Sequence, residues 1–382
     1  MSLFSKSESY IGVDIGAHGM KMVELKKTKG RPQLWTYGMA DEILDIHIKE
    51  KKKEKEKTEL HPPGLQENKN NKNNLESGMF TGEADPRVEK YGGMLKDLWK
   101  KAKASTNRAT ASLPVSQVFH ALINLPEVDE KELDHHVKAK VKKMLPRPIE
   151  QMQVVHQVIP PPEGVKTKNK TLLVTAAPKA LINFYTSIFQ KAGLQLVDLE
   201  TEAFALERSL VGKDKATSMI VDIGAERTNF FIIDRGLPIT HRSIQSGGDL
   251  IDELLKEKLG LDEKQISQVK VDISKMSSAE LEDIKSVFES VVQPIIKEIE
   301  YSFNLFLGQL GNENKKPEKI ILTGGSCVFP FFVSEISENF PMKVYIGDPW
   351  ARVVYQQRLK QLLDTIGPRM SVAIGLAMRN II

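Results

Sequence analysis

Apolar positions along this chain fall into two spacings. Residues 10–14 and 21–25 are short apolar runs that read as strands on either side of a glycine-containing turn, and 34–37 and 109–113 read as further strands of the same sheet. Between them Leu95, Leu98, Trp99 and Ala102 recur at three- and four-residue steps, which predicts a helix laid on that sheet. A second helix starts at Asp129, with Glu132 in capping-box position and Leu133, Val137, Val141 and Met144 on one face, and Pro146 and Pro148 end it. Strands at 152–159 and 171–177 and a helix from Pro178 follow, so residues 115–191 read as a small α+β unit. Strand and helix alternate through the remainder, the order of an α/β fold.

One stretch breaks this pattern. Residues 49–57 are almost only Lys and Glu, and 67–74 are mostly Asn and Lys, so 46–89 is expected to be a solvated, poorly ordered insert. Lys and Glu three or four residues apart can also support an exposed helix without a core to pack on. Elsewhere 382 residues with 41 % hydrophobic content suffice for two or three folded units. The 54 basic residues barely exceed the 50 acidic ones and are mixed with them, so no nucleic-acid partner is expected. Cys327 is the sole cysteine, no zinc-ligand spacing occurs, and a reducing cytoplasmic setting fits. The first residues lack the apolar core of a signal peptide and no apolar run is long enough to span a bilayer, so membrane contact is expected only through a partner.

The candidate chemistry comes from repetition. Val13-Asp14-Ile15-Gly16-Ala17 recurs letter for letter as Val221-Asp222-Ile223-Gly224-Ala225, each time at the end of an apolar strand and before a hairpin partner, which indicates two related domains facing each other. A strand that ends in Asp and runs into a glycine turn presents one carboxylate and several backbone amides at a sheet edge, where the glycine lets an anion approach. Asp14 and Asp222 would then hold a hydrated Mg²⁺ between them, the turns 16–19 and 224–228 would bind phosphates, and Lys21 and Thr228 would add a charge and a hydroxyl. A third glycine turn, Thr323-Gly324-Gly325-Ser326, has room for a base and ribose against its backbone. A fourth, Gly247-Gly248-Asp249, precedes an amphipathic helix and reads as half structural.

The order of these features, with a connecting helix at 202–209 and a last helix at 373–378, resembles the superfamily of actin, heat-shock proteins and sugar kinases. Longer phrases narrow the resemblance. Ala111-Ser112-Leu113-Pro114, Leu172-Leu173-Val174-Thr175-Ala176-Ala177-Pro178-Lys179, Leu199-Glu200-Thr201-Glu202-Ala203-Phe204-Ala205-Leu206, Asp348-Pro349-Trp350-Ala351 and Gly367-Pro368-Arg369 leading into Ala373-Ile374-Gly375-Leu376-Ala377 are similar to the PilM family of type IV pilus assembly proteins. They cover nearly the whole chain outside the charged insert.

The resemblance implies an actin-like α/β fold, a duplicated ribonuclease-H-like architecture of two lobes with a small α+β subdomain inserted as in the cell-division protein FtsA. Its expected limits are 1–114 and 192–214 for the first lobe, 115–191 for the inserted subdomain, 215–366 for the second lobe and 367–382 for a helix returning to the first. It implies ATP and Mg²⁺ as ligands, held by Asp14, Gly16, His18, Lys21, Asp222, Gly224, Thr228, Asn229, Gly247, Gly248, Lys270, Gly324, Gly325 and Ser326. The implied partner is the cytoplasmic N-terminal peptide of a PilN-like inner-membrane protein, with the pilus motor ATPases linked indirectly. Glu200 and Glu202, at the flank of the connecting helix, are the candidates for positioning an attacking water, as an acid on that helix does in relatives that hydrolyse ATP; weak or no hydrolysis is expected. The chain departs from the family at His18, where relatives carry a hydroxyl residue, and at Ile266 and Ser267 before Lys270, where they carry Ala-Glu at the ribose contact.

Two other readings compete. A sugar-kinase-like phosphotransferase would share the phosphate turns but needs a second acid as base, and none is placed for it. An FtsA-like polymerising division protein would need a C-terminal amphipathic anchor, and the chain ends directly after its last helix. His135 and His136, the lysines around 138–143, Cys327 and the phenylalanines at 329, 331 and 332 read as solvated surface or core.

Overall fold

The computed structural model describes residues 8–46, 85–161, 168–276, 280, 285–309 and 312–382. The chain runs β1 (Ser9–Gly16), β2 (Gly19–Lys26), β3 (Gln33–Ala40), α1 (Arg87–Lys101), β4 (Arg108–Leu113), β5 (Phe119–Pro126), α2 (Glu130–Val141), β6 (Met152–Ile159), β7 (Asn169–Pro178), α3 (Lys179–Ala192), β8 (Gln195–Thr201) and α4 (Glu202–Leu206). It continues through β9 (Ser218–Ile223), β10 (Thr228–Asp234), β11 (Leu237–Ile244), α5 (Gly248–Leu259), α6 (Glu263–Ile273), α7 (Lys285–Leu307), β12 (Lys319–Thr323), α8 (Pro330–Asn339), β13 (Lys343–Ile346) and α9 (Lys360–Met378).

The repeated pentapeptide marks a structural duplication. One five-stranded sheet has the order β3-β2-β1-β4-β8 and the other β11-β10-β9-β12-β13, so each begins with a meander whose first strand lies centrally. β1 is antiparallel to β2 and parallel to β4, as β9 is to β10 and β12. The register carries the equivalence to single residues: Asp14 stands opposite Lys21, and Asp222 stands opposite Asn229.

Alternating apolar residues bury both faces of these central strands, as expected of sheets with helices on either side. Ile11, Val13 and Ile15 face Leu95 on α1 and Phe184 and Ile188 on α3. On the opposite face Gly12 lets α9 lie directly on β1, since a Cβ there would collide with the Ala373 carbonyl. In the second lobe Val221, Phe230 and Leu322 pack against Val291 and Ile295 of α7 and Phe332 of α8. Its other face, with Ile220, Phe231 and Ile321, rests on Ala203 and Leu206 of α4 and Leu376 of α9. α4 and α9 therefore lie between the two sheets and join the lobes.

The third sheet, β5-β7-β6, is antiparallel and is covered by α2 through Leu133, Val137 and Val141. Several expectations change here. Asp129 is the N-cap of α2 but its side chain makes no cap bond, so the expected capping box is absent; Met144 lies beyond the helix end and is exposed. α3 was expected within the small unit up to residue 191, yet Leu181, Phe184, Tyr185, Ile188 and Phe189 fill the first lobe's core, so the inserted sheet closes at Pro178. Trp350 and Val353 already pack with Val23 and Leu25 of β2, so the chain rejoins the first lobe before residue 367. The flanks of the charged insert are ordered: Leu44 and Ile46 are buried in the first core, and α1 starts at Arg87, whose guanidinium binds Asp85 at 2.6 Å. Residues 47–84, and with them the expected disorder or charged helix, lie outside the described residues. Among the described residues no helix is long and apolar enough to cross a membrane.

Candidate functional site

The ends of β1, β9 and β12 open into one cavity of about 330 Å³ between the lobes. Asp14 and Lys21 reach it from the first hairpin, Asp222 and Asn229 from the second, and Glu202 from the start of α4. The two glycine turns contribute Gly16 with His18 and Gly224 with Arg227, and the turn after β12 contributes Gly324, Gly325 and Ser326. Gly248 and Asp249 of α5, Lys270 of α6 and Arg369 of α9 complete the wall.

The base of the cavity holds more negative charge than it can keep. Lys21 Nζ lies 3.6 Å from Asp14 Oδ2, and Ser112 Oγ lies 3.5 Å from Asp14 Oδ1. Burial, followed by the neighbouring charge of Asp14, pushes the Asp222 carboxyl up to about 7. Glu202 is driven well above the usual carboxylate range by burial first, then by Asp222 and Asp14. Asn229 Nδ2 donates to Glu202 Oε2 at 3.2 Å while its Oδ1 accepts from Ser243 Oγ at 2.7 Å, so the amide is oriented from both ends. Three carboxyl groups around one lysine form a site that an added cation would relieve. Among the described residues no group of three or more His, Cys, Asp or Glu is arranged to hold a metal ion.

The turns are shaped for close approach. Gly324 has φ +91°, and a Cβ there would run into the Ile223 carbonyl and Asp222 Oδ1, so only glycine lets β12 end beside that carboxylate. Its N–H donates to the Pro368 carbonyl at 3.1 Å. Ser326 Oγ donates to the Gly224 carbonyl at 3.1 Å, tying the third turn to the second. His18 Nε2 lies 3.0 Å from Asp249 Oδ1, and Lys270 Nζ lies 2.6 Å from Asp252 Oδ1. The hydrogen bond to Asp249 holds the His18 imidazole above the ordinary histidine range.

Of the fourteen residues expected to hold the ligand and the two expected acids, three do not line the cavity. Glu200 is enclosed by Arg208 and by Arg379, whose Nη1 lies 2.6 Å from Oε2, so it is a structural anion. Thr228 Oγ1 donates to the Ser246 carbonyl at 2.6 Å and has no hydroxyl to offer. Gly247 is pressed against the Ala225 backbone, where no Cβ would fit, and serves the turn rather than the cavity. Arg227, Asp249 and Arg369 were not among the expected ligand residues. Asp249 follows the fourth glycine turn and Arg369 belongs to the Gly-Pro-Arg phrase, but nothing local in either says which way the side chain turns.

Duplicated sheets, a helix pair between them and a cleft lined by matched aspartate turns define an actin-like, two-lobed α/β protein with a small inserted subdomain. The model of the type IV pilus assembly protein PilM matches residues 62–381, and the chain belongs to that family. A chain of a solved PilM-PilN type IV pilus biogenesis complex is similar over 98 % of both chains, with a TM-score of 0.74 at 22 % identity. The ethanolamine utilization protein EutJ of Carboxydothermus hydrogenoformans shares the fold, with a TM-score of 0.50 at 13 % identity over 97 % of this chain and 89 % of that one. The cell division protein FtsA of Pseudomonas aeruginosa is 26 % identical over 236 residues, 56 % of this chain and 54 % of FtsA. The chain thus spans about half the length of that curated relative.

Proposed function

We propose that this protein is an ATP-binding scaffold of type IV pilus assembly, whose nucleotide draws the two lobes together and whose inserted subdomain receives the N-terminal peptide of a PilN-like inner-membrane protein. The observation that carries the reading is the paired register of the two hairpins, which brings Asp14 and Asp222 to one cavity with Lys21 and Asn229 opposite them. In this reading Asp14 and Asp222 hold Mg²⁺ through water. The amides of the turns at Gly16 and Gly224, with Lys21 and His18, take the phosphates, and Gly324 and Gly325 back the adenosine while Lys270 faces the ribose. Mg²⁺, when bound, supplies the positive charge that the three carboxyl groups lack. Glu202, whose carboxyl burial raises well above the usual range, is engaged by Asn229; slow turnover or none is expected, and binding alone operates the scaffold. The peptide would hold the protein at the inner face of the inner membrane and connect it indirectly to the pilus motors.

Calorimetry of ATP with and without Mg²⁺ tests the site. Asp14→Ala and Asp222→Ala are expected to weaken Mg²⁺-dependent binding more than tenfold, and wild-type affinity in both would falsify the assignment. Fluorescence anisotropy with a labelled N-terminal peptide of the cognate PilN-like protein tests the partner; saturable binding is expected, and no binding at high micromolar protein would remove that half of the reading.

A further inference from the structure

His18 and Asp249 belong to different lobes and meet across the cavity, Nε2 to Oδ1 at 3.0 Å. Each is fixed to its own lobe. The turn carrying His18 is pinned by Gly19, at φ +117°, where a Cβ would strike the Ala40 carbonyl at the end of β3. Asp249 is pinned through its own N–H, which donates to the Ala225 carbonyl at 2.9 Å, and through Gly248, whose N–H donates to Gly224 at 2.9 Å. Neither end can follow the other if the lobes separate, so the pair can persist only while the cleft is closed.

We propose that the His18–Asp249 ion pair is a latch between the lobes that sets how fast ligand leaves the cleft. The inference rests on the nucleotide reading above and adds its regulation. The charged groups around the imidazole are Asp249 on α5, Glu226 in the second turn and Lys270 on α6; the first two favour its protonated form and Lys270 opposes it. The raised imidazole pKa fixes the sign. The latch is complete below the ordinary histidine value and is lost as pH climbs through the raised one, so ligand release accelerates with pH. Both side chains are more than a third exposed, at 41 % and 36 %, so the effect is about two- to fivefold rather than orders of magnitude.

Stopped-flow release of a fluorescent ATP analogue with Mg²⁺ from the full chain, wild type against Asp249→Asn between pH 6 and pH 9, tests this. Release from the wild type is expected to be about two- to fivefold slower than from D249N at low pH and to converge with it at high pH. Asp222 titrates in the same range but is present in both proteins, so the ratio isolates the latch. Equal rates at every pH, or a constant ratio, overturn the proposal. If neither protein binds the analogue, the nucleotide reading fails by itself and the latch is judged without ligand, by mild oxidation of the double variant H18C/D249C: a cross-lobe disulfide supports it and its failure to form overturns it.

Discussion

Glu202 shows how much a single side chain depends on its surroundings. Its carboxyl is buried beside two aspartates and accepts hydrogen bonds from Asn229 Nδ2 and the Val115 backbone. Burial and the two aspartates favour the neutral acid over the carboxylate, so an isosteric amide can replace it. Glu202→Gln is expected to change unfolding free energy by less than about 0.5 kcal/mol, whereas Glu202→Ala removes the partner of the half-buried Asn229 amide at a cost of about 1 kcal/mol. Urea unfolding of both variants checks this, and a glutamine variant as unstable as the alanine one would mean that the carboxylate is charged in the folded protein. The aspartate and glycine positions were legible in the sequence because a strand ending in Asp-x-Gly determines its own turn locally. Glu200, Thr228 and Gly247 were misread because their partners are distant: whether Glu200 faces the cleft is decided by Arg379, far along the chain, and Thr228 by the Ser246 carbonyl.

Between elements, the contact that the sequence hid most completely joins β5 of the inserted subdomain to β11 of the second lobe. His120 and His241 stack there with ring centroids 3.6 Å apart and planes 10° from parallel, and Phe231 meets His241 edge-on. Neither ring nitrogen of His241 has a hydrogen-bond partner among the described residues. Burial lowers the His120 imidazole to about 4, against the pull of the Pro238 and Ile239 backbone, and burial with His120 alongside holds His241 well below the ordinary histidine range. Both rings are neutral when folded and take up protons when unfolded. Stability from this contact is thus complete above the unfolded histidine pKa of about 6.5 and falls as pH drops toward 4, with His120 alone contributing on the order of 3 kcal/mol of loss. Denaturation at pH 7 and pH 4.5 should show this loss, and it should shrink in His120→Phe, which keeps the stack without the proton; an unchanged loss would place the acid sensitivity elsewhere. Element types were legible from apolar spacing, whereas element ownership was not. α3 follows β7 directly in sequence, and only its apolar face meeting α1 shows that it belongs to the first lobe.

At the scale of the whole molecule, the two lobes are coupled by the helices between them rather than by a loop. α9 lies on β1 and β2 of the first lobe, while its Pro368 carbonyl accepts both the Gly324 N–H at 3.1 Å and the Thr323 hydroxyl at 3.2 Å from the end of β12. Pro368 lies inside α9, so a carbonyl of a helix packed on the first lobe is bonded by the end of a second-lobe strand. The third turn therefore moves with a first-lobe helix, and a ligand that touches all three turns has to order parts of both lobes together. At a hundredfold excess over Kd such a ligand stabilises the folded state by about 2.7 kcal/mol. Hydrogen exchange should distribute that protection over the amides of the β1–β2 turn, the β9–β10 turn and the β12 turn at once. Protection confined to one lobe would mean that one aspartate turn binds alone, because a shared ligand cannot order Gly16 and Gly324 except by holding the sheets that carry them.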